Sequence, residues 1–346
     1  MSDHPKCLIT GGMGFIGFNA VVHYARQGRR VVAFDDLSRN TARRNYRDFK
    51  SMRLPNVAFV HGDVRDARSL RRLFQKHGGF ELVLHLAAQV AVTHSVTDPV
   101  QDFERNALGT LNVLEAVRRL CPRAFFIFAS TNKVYGALPE ARIRLASGRY
   151  GFSRPRLGIG EDAALDFHSP YGCSKGCADQ YVRDYGRIYG LKTAVFRQSC
   201  IYGPWQYGEE DQGWVAWFLI AALSGAPITI YGDGRQVRDI LHIDDLLALY
   251  DRAMARPSRS SGQIFNAGGG LGSTLSLLEL LDWIRRRLAI APKIRRQDWR
   301  PGDQKVYVSD ISKARRLLGW RPRVGVDAGL GQLARWLAAR VPSSRP

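Results

Sequence analysis

The feature that most constrains the fold is the glycine-rich stretch TGGMGFIG, which directly follows a short apolar run and precedes a helical pattern. Its glycines are spaced G-x-x-G-x-x-G. Glycine is needed where a backbone turns sharply, where main-chain N–H groups approach a pyrophosphate, and where a helix packs closely on a sheet. The helix N-terminus also favours an anion. The stretch therefore predicts a dinucleotide-binding turn, and the residues expected to contact the cofactor there are Gly11, Gly14, Phe15, Ile16 and Gly17.

Short apolar runs alternate with helical stretches from residue 6 to about residue 130. The runs are KCLIT, RRVVAFD, VAFVHGD, ELVLHLAA and RAFFIFAS. Strands that alternate with helices at this spacing form βαβ units, and hence a parallel sheet with helices on both faces. The sequence therefore predicts an α/β protein with a doubly wound, parallel-sheet Rossmann fold, followed by a smaller C-terminal α/β substrate-binding lobe.

The domain prediction rests on where this alternation stops. Residues 136–168 are polar and rich in Gly, Pro and Arg, and a connection of that length is more often a functional flap than a spacer. A helix from about Pro170 to Tyr189 and the strand LKTAVFRQ then resume the pattern. The domains predicted are residues 1–198 for the cofactor, with 136–168 as substrate flap, and mostly residues 199–346 for the substrate, with 237–267 expected to return to the Rossmann domain.

The charge and the cysteine content of this 346-residue chain limit the classes of partner that we expect. The formal net charge of +20 raises the possibility of nucleic-acid binding, yet basic residues occur in every segment without a basic-plus-aromatic RNA-binding motif. An Arg-rich composition is therefore the favoured reading, and an anionic small substrate is equally compatible. Five cysteines without Cys-x-x-Cys spacing predict neither a disulfide framework nor a metal site. Without a signal-peptide pattern or an apolar run of roughly 20 residues, we expect a cytoplasmic protein that binds no membrane.

Acidic residues end the second and third predicted strands. The Asp35 carboxylate can accept hydrogen bonds from both adenosine ribose hydroxyls, and it would repel the 2′-phosphate of NADP, so NAD is the predicted cofactor. Arg39, Arg43 and Arg44 lie close by in sequence and can soften this preference. Asp63 is placed either to meet the adenine amino group or to cap a helix, and the residues alone favour neither role.

Tyr171 and Lys175 form the pattern Y-x-x-x-K and lie four residues apart on one helix face. A tyrosine with an ordinary pKa of about 10 is a poor base at neutral pH, but a nearby ammonium and a cationic nicotinamide ring stabilise its phenolate. Lys175 can supply that charge and hold the nicotinamide ribose. Alone, the pattern is common by chance and also describes an ordinary helix-surface pair.

The order of these motifs resembles the extended short-chain dehydrogenase/reductase family, the nucleotide-sugar epimerases and dehydratases. The resemblance runs from residue 6 to about residue 336 and includes a strand that ends in Ser130 and Thr131. It implies an NAD-dependent enzyme that acts on a nucleoside-diphosphate sugar as a homodimer or homotetramer. It also implies that Thr131, four residues before the tyrosine of V-Y-G, orients the reacting hydroxyl, with Tyr171 and Lys175 as its catalytic partners.

The resemblance extends to further binding residues. HLAAQ matches the family loop under the cofactor, and Asn106 and Asn112 match a helix in which they are mainly structural. Arg238 and Arg300 are implied to bind phosphate, and Asp303 the ribose hydroxyls; a surface salt bridge with Asp239 is the alternative role of Arg238. The other cofactor residues implied are Asp36, Asp63, Val64, Leu86, Ala87 and Ala88.

One position departs from the family pattern. The usual R-x-x-N-x-Y-G-P reads here with Cys200 in place of the asparagine whose amide contacts phosphate. Because a thiol is a weak donor, either Arg238 and Arg300 hold the phosphate or the substrate sits slightly differently.

The residues after Thr131 bear on the reaction. Family dehydratases have Asp and Glu there, since elimination of water needs an acid and a base. This chain has Asn132 and Lys133, which predicts oxidation and re-reduction without dehydration, and we expect both residues to line the sugar pocket. His168 is placed either toward the sugar or in loop packing.

Three longer runs, TNKVYG, LDFHSPYGCSKG and DQGWVAWF, are most similar to the CDP-sugar 2-epimerases of this family, which interconvert CDP-paratose and CDP-tyvelose with retained NAD. A UDP- or GDP-hexose 4-epimerase with the same catalytic residues is the alternative within enzymes. A non-catalytic NAD- or RNA-binding member is the alternative of another class, because the charge of +20 is compatible with it.

Overall fold

The computed structural model of the chain describes residues 5–138, 142–153, 157–300 and 303–341. Its largest unit is a parallel sheet. The strands of this sheet are β1 (Lys6–Thr10), β2 (Arg30–Asp35), β3 (Val57–His61), β4 (Leu82–His85), β5 (Phe125–Thr131), β8 (Lys192–Gln198) and β12 (Gln263–Ala267). They lie in the order β3-β2-β1-β4-β5-β8-β12, and every neighbouring pair is parallel. The predicted doubly wound fold is confirmed.

Helices cover both faces of the large sheet. Alternate residues of β1 point to opposite faces, so that Cys7 and Ile9 join one core cluster and Leu8 joins the other. This explains why the strands read as continuous apolar runs. The helices are α1 (Phe15–Arg26), α2 (Asn40–Ser51), α3 (Ala67–His77), α4 (Val92–Thr97), α5 (Pro99–Phe103), α6 (Gly109–Leu120), α7 (Ser169–Tyr189), α8 (Trp214–Ser224), α9 (Ile243–Met254), α10 (Pro257–Ser260), α11 (Leu277–Leu288), α12 (Ser312–Leu318) and α13 (Val326–Ala338).

A second core lies in the C-terminal part of the chain, where α8, α11 and α13 enclose buried leucines, tryptophans and isoleucines. The strands here are β9 (Cys200–Tyr202), β10 (Ile228–Tyr231), β11 (Val237–His242), β13 (Thr274–Ser276), β14 (Ile294–Gln297) and β15 (Val306–Tyr307). The central strand β11 pairs with β9, β13 and β15, while β10 pairs with β14. The segment 237–267, which was expected to return to the Rossmann domain, is divided between the two sheets. Strand β11 lies in the smaller sheet, and β12 lies in the large one.

Segment 136–168 contains a hairpin that the sequence pattern did not reveal. Strands β6 (Ile143–Ala146) and β7 (Arg149–Phe152) pair antiparallel, and every residue of β6 is exposed. Each strand has only four residues, so the alternation of Ile143, Arg144 and Leu145 in β6 is too short to predict a strand, and no buried face reinforces it. The Arg149 guanidinium binds the Glu279 carboxylate at 2.9 Å, which ties the hairpin to the C-terminal part. Residues 139–141 and 154–156 of the predicted flap lie outside the described residues.

Within the described ranges, no helix is both long and apolar enough to cross a bilayer. The five thiols are unpaired, and no cluster of three or more potential metal ligands occurs in those same ranges.

Candidate active site

The turn between β1 and α1 has a geometry that only glycine allows at two positions. Gly11 adopts a positive φ of 67°, and a Cβ there would lie 2.7 Å from the Ala87 amide nitrogen. A Cβ on Gly17 would lie 1.9 Å from the Gly11 carbonyl oxygen. Gly14 caps α1 without a side-chain hydrogen bond, so the helix presents bare N–H groups and the positive end of its dipole to the cleft. This is a cradle for a phosphate.

Asp35 lies at the end of β2, beside this turn. Its two carboxylate oxygens accept hydrogen bonds from the Met13 N–H at 3.0 Å and the Leu37 N–H at 2.8 Å. Burial raises the pKa of Asp35, and these backbone donors act in the opposite direction. Each oxygen retains lone pairs that face the cleft, as binding of ribose hydroxyls requires. Asp36 instead accepts from Ser38 and pairs with Arg105 at 3.3 Å.

One cleft brings together every residue predicted to bind the cofactor, from Gly11 at the phosphate turn to Lys175 on α7. Several other lining residues were not predicted. Gly62 directly precedes Asp63 at the end of β3, so its place in the cleft could have been predicted from that neighbour. A Cβ on Gly62 would lie 2.4 Å from the Phe34 ring. The rest gave no signal, because distant segments supply them. They include Val90, Arg105, Gln198 and Gln212.

Asp63 lines the far end of this cleft and pairs with Arg65. The two side chains approach to 2.7 Å. Burial alone would raise the pKa of Asp63, but hydrogen bonds from Arg65 outweigh this effect and lower it. The N-cap of α3 is Asp66, which accepts from the N–H groups of Arg68 and Ser69. The helix-capping role considered for Asp63 is therefore wrong.

These features suit a bound NAD. The glycine cradle leaves no room for a side chain where a pyrophosphate would approach the backbone, and the free lone pairs of Asp35 match ribose hydroxyls. The same carboxylate would repel a 2′-phosphate. Arg39 and Arg105 are the cations that line this part of the cleft.

Thr131, Tyr171 and Lys175 meet where β5 ends. Burial raises the pKa of Tyr171 to about 12, and the Thr131 side chain, within hydrogen-bonding reach, partly offsets this rise. The Lys175 ammonium donates to the Ala129 carbonyl oxygen at 2.6 Å and lies 4.2 Å from the centre of the Phe128 ring. Burial lowers the pKa of Lys175 to about 7, while Asp179 and Asp102 act against that shift.

A buried hydrogen-bond network holds the first turns of α7. Asp102 accepts from Ser174, from Asn106 at 3.1 Å and from Gln89 at 3.0 Å. Asn106 occupies a π-helical turn between α5 and α6, and the Tyr171 N–H donates to Ser95 at 3.1 Å. Tyr171 is thus fixed by groups that do not face the cleft.

The neighbouring hydroxyl at the end of β5 points elsewhere. Ser130 donates to Asp179 at 2.7 Å, and Asp179 also forms a buried ion pair with Arg197 at 3.0 Å. The hydroxyl therefore helps to anchor β5 to α7. Of the two hydroxyls that end the strand, only Thr131 is directed toward Tyr171.

Asn132 and Lys133 form the 3₁₀ turn that follows Thr131. Asn132 is buried, whereas the Lys133 ammonium has no hydrogen bond or ion pair with any residue in the described ranges. Burial lowers the pKa of Lys133, the charge of Arg238 lowers it further, and Asp303 opposes both effects. A partly enclosed cation without a carboxylate partner suits a polar, anionic ligand.

The two arginines predicted to bind phosphate each have a carboxylate partner. Arg238 lies 2.5 Å from Asp303, and Arg300 lies 3.0 Å from Asp211. Asp239 is buried and accepts from Ser199 and from backbone N–H groups, so the alternative Arg238–Asp239 salt bridge is wrong.

Two other residues singled out from the sequence, Cys200 and His168, do not line the cofactor cleft. The Trp214 indole N–H points at the Cys200 sulfur, 3.4 Å away. Cys200 therefore packs against α8, and burial raises the pKa of its thiol. His168 is exposed at the N-cap of α7.

The chain is similar over most of its length to known nucleotide-sugar dehydratases and epimerases. The family model described as GDP-mannose 4,6 dehydratase matches residues 8–333. A CDP-paratose 2-epimerase of Salmonella typhi is 43% identical over 339 residues, which cover 96% of this chain and 99% of that protein. A dTDP-glucose 4,6-dehydratase of Shigella flexneri is 32% identical, with 96% and 93% covered.

A solved structure has the same overall fold. The UDP-glucose 4-epimerase of Thermus thermophilus, in complex with NAD, superposes with a TM-score of 0.81 and 32% identity, covering 97% of this chain and 100% of that one. Both the sequence match and the superposition extend over nearly the full length of the chain. The chain therefore belongs to the extended short-chain dehydrogenase/reductase family, in the group of nucleotide-sugar epimerases and dehydratases.

Proposed function

We propose that the chain is an NAD-dependent CDP-paratose 2-epimerase that interconverts CDP-paratose and CDP-tyvelose. The observation that carries this proposal is the pair Asn132–Lys133 directly after Thr131, whose side chain lies within hydrogen-bonding reach of Tyr171. The 43% identity to a CDP-paratose 2-epimerase supports the choice of substrate.

In this reaction the chain's own residues move and hold protons. The turn around Gly11 and Gly17, together with Asp35, would hold NAD, which would supply the hydride acceptor for C2 and the hydride donor to the other face of the 2-keto sugar. Tyr171 takes the proton of the C2 hydroxyl and later gives it back, while Thr131 orients that hydroxyl. In its protonated form the buried Lys175 supplies positive charge beside the site, and the family role of ribose anchor falls on it.

The cofactor-free site is not yet poised for this chemistry. A Tyr171 pKa of about 12 and a Lys175 pKa of about 7 both favour neutral side chains at weakly alkaline pH. A cationic nicotinamide near Tyr171 would favour its phenolate. Proton abstraction would therefore depend on the oxidised cofactor.

Dehydration is disfavoured by the charges at the sugar side. Elimination of water needs an acid for the leaving hydroxyl and a base for the adjacent carbon. Asn132 is neutral and Lys133 is cationic, while the Asp303 carboxylate is engaged by Arg238. The keto sugar then has re-reduction as its remaining route.

The nucleotide is proposed to bind on the same side of the cleft. Arg238 and Arg300 offer guanidinium groups that suit a diphosphate, and Lys133 adds a third positive charge. Asp303 is the proposed acceptor for the ribose hydroxyls. The preference for cytosine rests on similarity to the CDP-paratose epimerase.

The test is an isotope experiment on protein purified with its own nicotinamide cofactor. Substrate deuterated at C2 is expected to turn over without added NAD, with a primary isotope effect and deuterium appearing on the enzyme's cofactor. Substrate deuterated at C4 is the matched control. A primary effect confined to C4 would replace the 2-epimerase with a UDP- or GDP-hexose 4-epimerase, the second candidate supported by the NAD-bound 4-epimerase structure.

The role of the pair after Thr131 has its own test. Changing Asn132 to Asp and Lys133 to Glu is expected to lower epimerisation at least tenfold, because the sugar pocket loses a cation and gains two carboxylates. Unchanged epimerisation would remove any role of the pair in holding the sugar. Rapid loss of water from the 2-keto sugar would show that the pair normally prevents elimination.

A non-catalytic role is the contrasting class of function. It predicts salt-sensitive retention of RNA, supported only by the net charge of +20, and a biological activity that is indifferent to Tyr171→Phe. The shared position of Thr131, Tyr171 and Lys175 favours catalysis, since a sensor does not need all three.

We also propose a homodimer or homotetramer in a reducing cytoplasm. Large hydrophobic side chains are exposed on packed helices α5 and α7, and a second copy of this chain would cover them. Unpaired cysteines are compatible with a reducing compartment. The exposed side chains on these two helices are Val100, Phe103, Tyr181, Ile188 and Tyr189. Light scattering on the purified protein measures the assembly directly.

A further inference from the structure

The segment that joins β9 to α8 lies beside the cofactor cleft, and its residue Gln212 lines that cleft. We call residues 205–213 the strap. At its first end, the Trp205 carbonyl oxygen accepts from Asn45 at 3.4 Å, and the Tyr207 carbonyl oxygen accepts from Thr41 at 3.4 Å. The Arg44 guanidinium lies 4.9 Å from the centre of the Tyr207 ring. This end of the strap is thus attached to α2.

The second end of the strap contacts three other segments. Asp211 accepts from the Thr93 hydroxyl at 3.0 Å and pairs with Arg300 at 3.0 Å. Glu210 accepts from the Tyr231 hydroxyl at 3.1 Å. Together with the first end, these contacts join the strap both to helices α2 and α4 of the Rossmann part and to the C-terminal part of the chain.

One contact of the strap lies inside the cleft itself. The Arg39 guanidinium donates to the Gln212 side-chain oxygen, and both side chains line the cleft that also contains Asp35 and Tyr171. Arg39 immediately precedes α2, so the contact joins the adenosine side of the cleft to the strap. These two residues are 173 positions apart in the sequence.

We infer that the strap retains the bound cofactor and that Arg39 and Gln212 form its clasp. The inference rests on the proposed function, because an epimerase must hold the same reduced cofactor while the keto sugar turns over. A clasp that bridges the two sides of the cleft would have to open before a dinucleotide could leave. Burial of the Arg39 guanidinium lowers its pKa and strengthens its hydrogen bond to the amide oxygen.

The ends of the strap are held by the structure around them. The centre of the Trp205 ring lies 5.3 Å from that of the Phe18 ring and 6.2 Å from that of the Trp336 ring. At the other end, Gly213 has a φ of 77°, in the left-handed region, and α8 begins directly after it at Trp214. Opening the clasp therefore requires no displacement of these ends.

The test follows cofactor release rather than turnover. Protein loaded with NAD is transferred into cofactor-free buffer with charcoal, and retained NAD is assayed over time. Gln212→Ala is expected to release NAD about tenfold faster than the unchanged protein, because a hydrogen bond to a charged donor is lost. The matched control is Gln27→Ala, the same substitution at an exposed glutamine whose contacts with His23 and Asp251 lie outside the cleft. Its release rate is expected to be unchanged.

Two further measurements make the result decisive. In the double variant with Arg39→Ala, NAD release should be no faster than in Arg39→Ala alone, because both changes break the same contact. Hydrogen exchange across residues 205–213 should slow when NAD is added. Two results would contradict the proposal that the strap retains NAD. One is release of NAD from Gln212→Ala at the original rate, and the other is hydrogen exchange in residues 205–213 that does not change when NAD is added. If NAD release responds as expected but CDP-paratose is not converted, the strap stands and the proposed substrate fails.

Discussion

The two halves of the active-site cleft are organised in opposite ways. On the cofactor half, the turn around Gly11 and Gly17 and the backbone-bonded Asp35 leave an open cradle. On the substrate half, Arg238 and Arg300 are already engaged by Asp303 and Asp211. The first half is preorganised for its ligand, whereas the second, if it binds the nucleotide as proposed, would exchange internal ion pairs for ligand contacts.

This difference has a physical origin. The glycine turn has no room for a neighbouring side chain that could bond its free N–H groups. These groups therefore remain available to a ligand. Flexible guanidinium groups, by contrast, pair with the nearest carboxylate, and a diphosphate offers them the same bidentate, charge-assisted hydrogen bonds. Cofactor binding should therefore depend on steric fit, and nucleotide binding on competing charges.

The largest expected effect lies where the two halves meet. Tyr171→Phe removes the only proton-transferring hydroxyl proposed for the sugar, and kcat should fall about 1000-fold. The ring itself remains, so NAD content after purification and the thermal midpoint should stay unchanged. Steady-state turnover of CDP-paratose measures kcat. A cofactor assay measures NAD content, and thermal unfolding measures the midpoint. A loss in kcat of less than tenfold would assign the proton to another group.

The next effect tests the preorganised half. Gly17→Ala would put a Cβ 1.9 Å from the Gly11 carbonyl oxygen, so the turn must shift and NAD affinity should fall roughly 100-fold. Gly272→Ala is the matched control, because a Cβ there meets no atom within 4 Å. Titration of both cofactor-free variants with NAD provides the comparison. Equal affinities would mean that the cradle is not a rigid steric template.

The same contrast explains how far the sequence could be used for prediction. Strands β1 to β5 and the glycine turn are local features, readable from apolar runs and spacing, and the residues around them were assigned from sequence. The Arg39–Gln212 clasp and the Arg300–Asp211 pair join residues far apart in the chain, and no local pattern encodes them. The β6–β7 hairpin could not be predicted for a different reason, since neither of its faces is buried.

A third effect concerns the buried ammonium between the halves. The pKa of Lys175 falls from 10.5 to about 7 on folding, so between these values the unfolded chain binds a proton that the folded chain does not. Stability of the cofactor-free protein should therefore rise with pH from 7 to 9, by about 2 kcal/mol from this residue. Below pH 7 the contribution is lost.

Urea unfolding of Lys175→Met from pH 6 to 9 checks this sign. The variant should lack that part of the alkaline rise, because it has no ammonium to titrate. Lys192→Met, which alters an exposed lysine at the start of β8, should keep the rise. Identical slopes in the two variants would show that Lys175 is not the group responsible.

The smallest effect tests whether the substrate half really exchanges partners. Asp303→Asn removes the charge that holds Arg238 and keeps an oxygen that can accept from a ribose hydroxyl. CDP should then bind about three- to fivefold more tightly at low salt, since the half-buried pair no longer competes. Asp298→Asn makes the same change of charge at an exposed neighbouring position and should alter affinity less.

Comparison of Asp303→Asn with Asp303→Ala separates the two proposed roles of this carboxylate. Both variants free Arg238, but only the amide retains an acceptor, so weaker binding of CDP by the alanine variant reports the ribose contact. If Asp303→Asn itself weakens CDP binding, the ion pair does not compete with the nucleotide, and its carboxylate charge acts directly on the ligand. In that case the substrate half would be preorganised like the cofactor half, and the contrast between them would disappear.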